Sequence, residues 1–236
     1  MTMGYMRFRP DDVGTIDGVN EDTDQMVQAR KGVTKYIYPI VIIVSIFLGI
    51  LMVSMVSQDW YVAEALGCPH LPDELWSTAH FGLNSEEYDL SAYNVSERSH
   101  IGYEGRFEEE SYHHVAWNFV YSLMAVIGIS ILFMFLVARM ENSLQEMGGK
   151  LSYIIPPIVG TAAGLVLMGG LLYFYGSFEA ELDNARGSEI NWATAGYGWP
   201  IWGTLLSGIV LFFAVALSYW CGWRAIHITN GVVEEG

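Results

Sequence analysis

Residues 38–57 read YPIVIIVSIFLGILMVSMVS and contain no charged side chain. A helix of about twenty apolar residues is long enough to cross a hydrocarbon layer about 30 Å thick. Three further runs of this kind follow, so that the four runs span residues 37–57, 115–138, 151–175 and 199–223. Because backbone amides in lipid must be satisfied within their own segment, each run is expected to form a helix. The sequence therefore predicts an all-α membrane protein, with a four-helix transmembrane domain in residues 36–224.

The composition agrees with a membrane location. Of the 236 residues, 52% are hydrophobic and only 16% are charged, which is too apolar for an ordinary soluble domain. The formal net charge of -15 excludes a general nucleic-acid binder, which needs a basic surface to neutralise phosphates. The expected partners are the lipid bilayer and other integral membrane subunits, in a homo- or hetero-oligomer.

The basic residues predict the orientation of the helices. The N-terminal tail, the link 139–150 and the C-terminal tail lie on one side of the predicted membrane. They hold eight of the eleven Lys and Arg residues: Arg7, Arg9, Arg30, Lys31, Lys35, Arg139, Lys150 and Arg224. The other side holds Arg98, Arg106 and Arg186. Since basic residues concentrate on the cytoplasmic side, the tails 1–35 and 225–236 are predicted to be cytoplasmic. Residues 58–114 and 176–198 then form two outer loops of a multi-pass plasma-membrane protein.

The first outer loop is the candidate recognition surface. Residues 58–114 contain twelve Asp or Glu against two Arg, together with five of the six histidines. An acidic surface suits a basic face on a partner or attracts cations to the mouth of a pore. The loop also contains Asn94-Val95-Ser96, a sequon that predicts glycosylation of Asn94 in a secretory pathway.

The loop histidines raise the question of a metal site. Glu110 and His113 have the Glu-x-x-His spacing that places two ligands on one helical face, and His114 follows directly. A di-iron bundle requires a second such pair, and a zinc site usually shows closely spaced ligands such as C-x2-C. The sequence has neither, so we expect solvated loop histidines and no cofactor. Glu110, His113 and His114 are the candidates if a metal is bound.

The apolar runs contain small residues but no ionisable residue near their centres. The absence of intramembrane charge argues against a transporter or a channel pore formed by this chain alone. Gly160 and Gly164 in the third run, and Gly203 and Ser207 in the fourth, would let helix backbones approach closely. The same packing serves contacts inside the bundle and contacts with another subunit, and both alternatives stay open.

Short motifs at the helix ends resemble those of a known superfamily. Trp60 follows the first run, Phe81-Gly82-Leu83 lies in the first outer loop, and Ala195-Gly196-Tyr197-Gly198-Trp199 leads into the fourth run. With the loop lengths, these residues make 36–223 similar to the claudin superfamily, which includes peripheral-myelin-type proteins and claudin-like auxiliary subunits of calcium channels and glutamate receptors. Asn84 stands where the Gly-Leu-Trp signature of that family has its Trp. The paired loop cysteines of the family are absent, and Glu87 falls where the first would lie.

The resemblance implies a left-handed four-helix bundle capped by a small antiparallel sheet from both outer loops. Alternation within residues 88–95 also predicts strand in the first loop. The expected function is that of a non-enzymatic auxiliary or assembly subunit of a channel or receptor complex, or of a cell-junction protein, acting through the acidic loop. The alternative is an accessory subunit of a membrane metalloenzyme or respiratory complex, with the histidine-rich loop contributing ligands.

Overall fold

The computed structural model describes residues 16–66, 76–92, 95–102, 111–145, 150–186 and 192–234. These ranges contain the helices α1 Ile16–Val56, α2 Ser111–Gln145, α3 Leu151–Arg186 and α4 Trp199–Glu234. They also contain the strands β1 Tyr61–Leu66, β2 Trp76–Phe81, β3 Ser85–Ala92, β4 Val95–Gly102 and β5 Trp192–Tyr197. The four predicted helices are confirmed, and each is long and apolar enough to cross a membrane.

The helices pack side by side in a ring. α1 contacts α2 and α4, and α3 contacts the same two helices. On α1, Ile40, Val44, Phe47 and Leu51 are fully buried, at the three- and four-residue spacing that places side chains on one helical face. The opposite faces of the helices are apolar as well, and large side chains such as Phe212 are exposed there. Helices that are apolar all round suit a lipid environment.

The helices are longer than the predicted apolar runs. α1 extends at its start, α2 at both ends, and α3 and α4 at their ends. α1 begins at Ile16, within the segment 1–35 predicted as a tail, and α2 begins at Ser111. α3 continues to Arg186 and α4 to Glu234, which shortens the second outer loop and the C-terminal tail. Hydropathy marks only the residues apolar enough for hydrocarbon, so it does not indicate how far a helix continues into polar sequence outside the membrane.

The five strands form one antiparallel sheet in the order β4-β3-β2-β1-β5. The first outer loop supplies β1 to β4 and the second supplies β5, so the expected sheet from both loops is confirmed. Of the stretch 88–95, residues 88–92 lie in β3, inside the sheet, and Val95 begins β4, at its edge. Because β1 follows α1 directly and β5 leads into α4, the sheet lies at one end of the bundle.

Candidate functional site

The register of the sheet separates its side chains into two faces. Tyr61 pairs with Phe81 and Ala63 with Ala79, and all four side chains are buried against the helices. The positions between them face away from the bundle, because successive residues of a strand point to opposite sides. The outward face therefore carries acidic side chains: Glu64 on β1, and Glu87 and Asp89 on β3. The acidic loop becomes an acidic surface with a defined geometry.

His80 lies at the centre of this outward face. Its Nδ1 is 2.8 Å from Oδ1 of Asp59, which precedes β1, and its Nε2 is 3.7 Å from Oδ2 of Asp89. Glu87 is its register partner on β3. Further along the face, the hydroxyl of Thr194 on β5 donates a 3.1 Å hydrogen bond to Glu64. The bond from Thr194 to Glu64 links β5 to β1, and the contacts of His80 link β2 to Asp59 and to Asp89 on β3. The outward face is therefore connected across four strands.

A cluster of aromatic side chains fixes the inner face of the sheet to the helix ends. Trp60 is fully buried, with its ring centroid 5.3 Å from that of Phe119 on α2 and 5.5 Å from that of Phe174 on α3. Phe178, one turn after Phe174, stacks on it at 4.8 Å and reaches Tyr61 at 5.8 Å. Edge-to-face and offset pairs add to the free energy of burial. The sheet is therefore packed against the ends of α2 and α3.

Two glycines permit the close approach of chains at this junction. The amide of Gly82 donates to the carbonyl of Ser85 at 2.8 Å, and a Cβ at Gly82 would overlap the side chain of Gln58. The amide of Gly198 donates to the carbonyl of Trp60 at 3.2 Å, and a Cβ there would overlap the backbone oxygen of Asp59. Trp60, Gly82 and Leu83, which carry the family resemblance, are all buried at this junction.

A carboxylate of α3 lies beside two tyrosines of the junction. The hydroxyl of Tyr61 donates to Oε1 of Glu179 at 3.4 Å, and Tyr197 lies 5.2 Å from Tyr61 between ring centroids. Burial, reinforced by the negative charge of Glu179, raises the pKa of Tyr197 to about 12. Burial, and then the negative charge of Glu179, also raise the pKa of Tyr61, and to a higher value than that of Tyr197. Both tyrosines are therefore neutral donors at physiological pH.

The metal candidates do not come together in the described structure. His113, in the first turn of α2, is fully buried with its ring centroid 4.3 Å from that of Tyr112, whereas His114 is exposed. Consecutive helical residues point in different directions, which separates these two rings. Glu110 lies outside the described residues. Within the described ranges, no group of three or more His, Cys, Asp or Glu side chains has a geometry that would hold a metal ion.

The remaining predicted residues lie in the membrane-spanning helices or outside the described chain. A Cβ at Gly160 would come 2.7 Å from Cγ2 of Val215, so α3 and α4 are in close contact there. Gly203 packs against Oγ of Ser54 on α1, and buried Ser207 donates to the carbonyl of Thr204. A Cβ at Gly164 would meet no atom within 4 Å. The glycosylation residue Asn94 is outside the described residues.

Sequence reasoning missed most of the aromatic junction. Tyr61, Tyr112 and Phe178 belong to no motif in the sequence, and Phe81 enters only through the Phe81-Gly82-Leu83 motif of the resemblance. β1 reads Tyr61-Val62-Ala63-Glu64-Ala65-Leu66, which does not alternate between apolar and polar residues, so its sequence gives no clear signal for the buried face. Comparison with known proteins finds no family model that matches the chain and no matching curated protein.

Proposed function

We propose that the chain is a non-enzymatic subunit of a larger channel or receptor complex in the plasma membrane, to which it docks through the acidic outward face of its sheet. One observation carries the proposal. Glu64, Glu87 and Asp89 share the outward face of a sheet whose other face packs on aromatic side chains of α2 and α3. A surface held in place before binding loses little conformational entropy when a partner docks. Its charge selects a basic partner face.

A claudin-like relationship is part of this proposal. It is supported by the sheet drawn from both outer loops, and by the burial of Trp60, Gly82 and Leu83 where the sheet meets the bundle. The missing loop cysteines are compatible with such a fold because the aromatic junction anchors the sheet by packing. In a claudin-like protein this cap serves assembly or cell contact.

The proposed orientation places the sheet outside the cell and both termini in the cytoplasm. The sheet end of the bundle carries Glu64, Glu87 and Asp89, whereas Arg139 and Arg224 lie toward the opposite ends of α2 and α4, and Lys150 directly precedes α3 at that same end. Basic residues are retained on the cytoplasmic side. The acidic face is then available to the outer domains of neighbouring membrane proteins.

Extraction of the native complex in a mild detergent tests the proposal. The tagged chain would be purified from its own membrane and the accompanying proteins identified by mass spectrometry. We expect a channel or receptor subunit to accompany it. Glu64→Lys, which reverses a charge on the outward face, is expected to lower recovery of that partner about fivefold or more. Glu141→Lys, at the opposite end of the bundle on α2, is the matched control and should not change recovery.

Three results would overturn the proposal. The first is recovery of the chain only as a monomer. The second is equal recovery of the partner with the Glu64→Lys and Glu141→Lys variants. Recovery with redox or metal-bearing subunits would instead favour the accessory-subunit alternative.

A further inference from the structure

A groove of about 920 Å³ lies between α3 and α4 in the membrane-spanning part of the bundle. Its walls include Gly164, Leu165 and Met168 on α3, and Gly208, Phe212 and Phe213 on α4. None of the described residues that line the groove is charged. The volume is within the range typical of small-molecule sites, about 300–1,000 Å³.

Glycine keeps this groove open. At Gly160 the two helices touch, since a Cβ there would press on Val215. One turn further along α3, a Cβ at Gly164 would meet no atom within 4 Å. Gly160 therefore brings the helices together, whereas Gly164 leaves space that a larger residue would fill.

One end of the groove is polar. The hydroxyl of Thr161 donates to the carbonyl of Pro157 at 2.8 Å, and the hydroxyl of Tyr219 lies 3.4 Å from Oγ1 of Thr161. Thr161 has only one hydroxyl hydrogen, and the carbonyl uses it, so Tyr219 is the donor in the second contact. The lone pairs of the Tyr219 oxygen are left to accept a hydrogen bond from a ligand.

This polar end lies near the membrane surface that is remote from the sheet. Tyr219 is one turn before the exposed Trp223, or about 6 Å along the axis of α4. Arg224, the next residue, lies over the ring of Trp220 at 5.0 Å from the centroid. Tryptophan and arginine at a helix end mark the interface with the headgroups. The two hydroxyls are thus at the depth where the hydroxyl of a membrane lipid lies.

We propose that the groove between α3 and α4 binds a sterol, whose hydroxyl donates to Tyr219 and whose ring system lies along Gly164 and Phe212. The lining residues offer two hydroxyls and no charged group, which matches a ligand with one neutral hydroxyl better than a ligand held by its phosphate. A sterol has a single hydroxyl on a rigid apolar body, so it loses little conformational freedom on binding. This site goes beyond the proposed function and requires only that the helices cross a membrane.

Photolabelling of the purified full-length chain in lipid nanodiscs tests the site. The probe is a cholesterol analogue with a photoreactive group and an alkyne handle, and labelled peptides are mapped by mass spectrometry. We expect saturable labelling of α3 and α4 that unlabelled cholesterol displaces. Gly164→Leu fills the groove and should reduce labelling about tenfold. Gly169→Leu is the control, because a Cβ at this exposed position of α3 also meets no atom within 4 Å.

The hydroxyl contact is tested separately. Tyr219→Phe removes the acceptor and should weaken probe binding about fivefold, the effect of one hydrogen bond. Tyr121→Phe, at an exposed tyrosine on α2, should leave binding unchanged. Labelling spread over the four helices, or equal labelling of the two leucine variants, would overturn the proposal. Equal displacement by a diacylglycerol would also overturn it, since the site would then not select the rigid ring system.

Discussion

The indole Nε1 of Trp60 donates a 2.8 Å hydrogen bond to the backbone carbonyl of Ser54, in the last turn of α1. This bond closes the link between α1 and β1 and holds the indole between α2 and α3. Trp60→Phe removes the donor and part of the packed volume. The Ser54 carbonyl still accepts from the amide of Ser57 at 3.2 Å, so no backbone oxygen is left unsatisfied. We expect the free energy of unfolding to fall by about 1–2 kcal/mol.

This expectation is checked by thermal unfolding of the detergent-purified chain, monitored by near-ultraviolet circular dichroism. Trp202→Phe is the matched control, because that side chain is 65% exposed on α4. The role assigned to Trp60 would be wrong if the two variants unfolded at the same temperature.

Gly198 gives a second prediction, on the connection between the sheet and α4. Its amide bonds to Trp60, and a Cβ would overlap the carbonyl oxygen of Asp59. Backbone atoms cannot move aside as a flexible side chain can, so Gly198→Ala should separate β5 from β1. We expect faster hydrogen exchange of the β5 amides and a loss of about 2 kcal/mol or more in the free energy of unfolding.

Gly196→Ala is the control for this experiment. Gly196 lies on β5, two residues before Gly198, and a Cβ there would meet no atom within 4 Å. Its exchange rates and stability should stay within about 0.5 kcal/mol of the parent chain. If Gly196→Ala and Gly198→Ala lowered the free energy of unfolding equally, the contact between Gly198 and Asp59 would not be the cause of the loss.

The sequence predicted the helices far better than the junction. A run without charge such as 38–57 has one stable solution in lipid, so hydropathy alone identifies it. The polar starts of α1 at Ile16 and of α2 at Ser111 are under no such constraint, so hydropathy does not indicate them. The sheet as a whole was expected through the resemblance, and the residues alone predicted strand only in 88–95. The reason is that the outward face carries carboxylates, which are also typical of a solvated loop.

A third prediction concerns the titration of Tyr197. Burial and then Glu179 raise its pKa from the ordinary 10.0 to about 12. Subtracting the alkaline titration of Tyr197→Phe from that of the parent chain, by tyrosinate absorbance, should isolate a group with a midpoint near pH 12. Glu179→Gln should lower this pKa toward 10 without reaching it, because burial is the larger cause. Glu181→Gln, on the same helix, should leave it unchanged.

The raised pKa also fixes the sign of the effect on stability. Above pH 10 the unfolded chain loses a proton that folded Tyr197 retains. The contribution to stability is fully present below pH 10 and is lost as the pH rises through about 12. Alkaline unfolding of Tyr197→Phe should consequently depend less steeply on pH between 10 and 12. If the free energy of unfolding of Tyr197→Phe fell with pH as steeply as that of the parent chain, the raised pKa of Tyr197 would not contribute to stability.

The candidate site shows the same limit of sequence reasoning. His80 was only one of five loop histidines until the register placed it against Glu87 and between Asp59 and Asp89. These groups come from three separate stretches of the chain, and no local spacing relates them. Gly164 likewise reads as a packing residue in sequence, yet in the structure it lies on an open groove, since only the crossing of α3 and α4 decides where helices touch.

The orientation of the chain gives the last prediction. Thr194 is exposed on β5, and Asn142 is exposed near the end of α2 remote from the sheet. Single cysteines at these positions, in a Cys68→Ser background, would be treated in intact cells with a membrane-impermeant maleimide. Native Cys221 is buried and should not react. If the sheet is outside the cell, Thr194→Cys is labelled at once and Asn142→Cys only after permeabilisation. The reverse pattern would place the acidic face in the cytoplasm and remove the outer partner on which the proposed function depends.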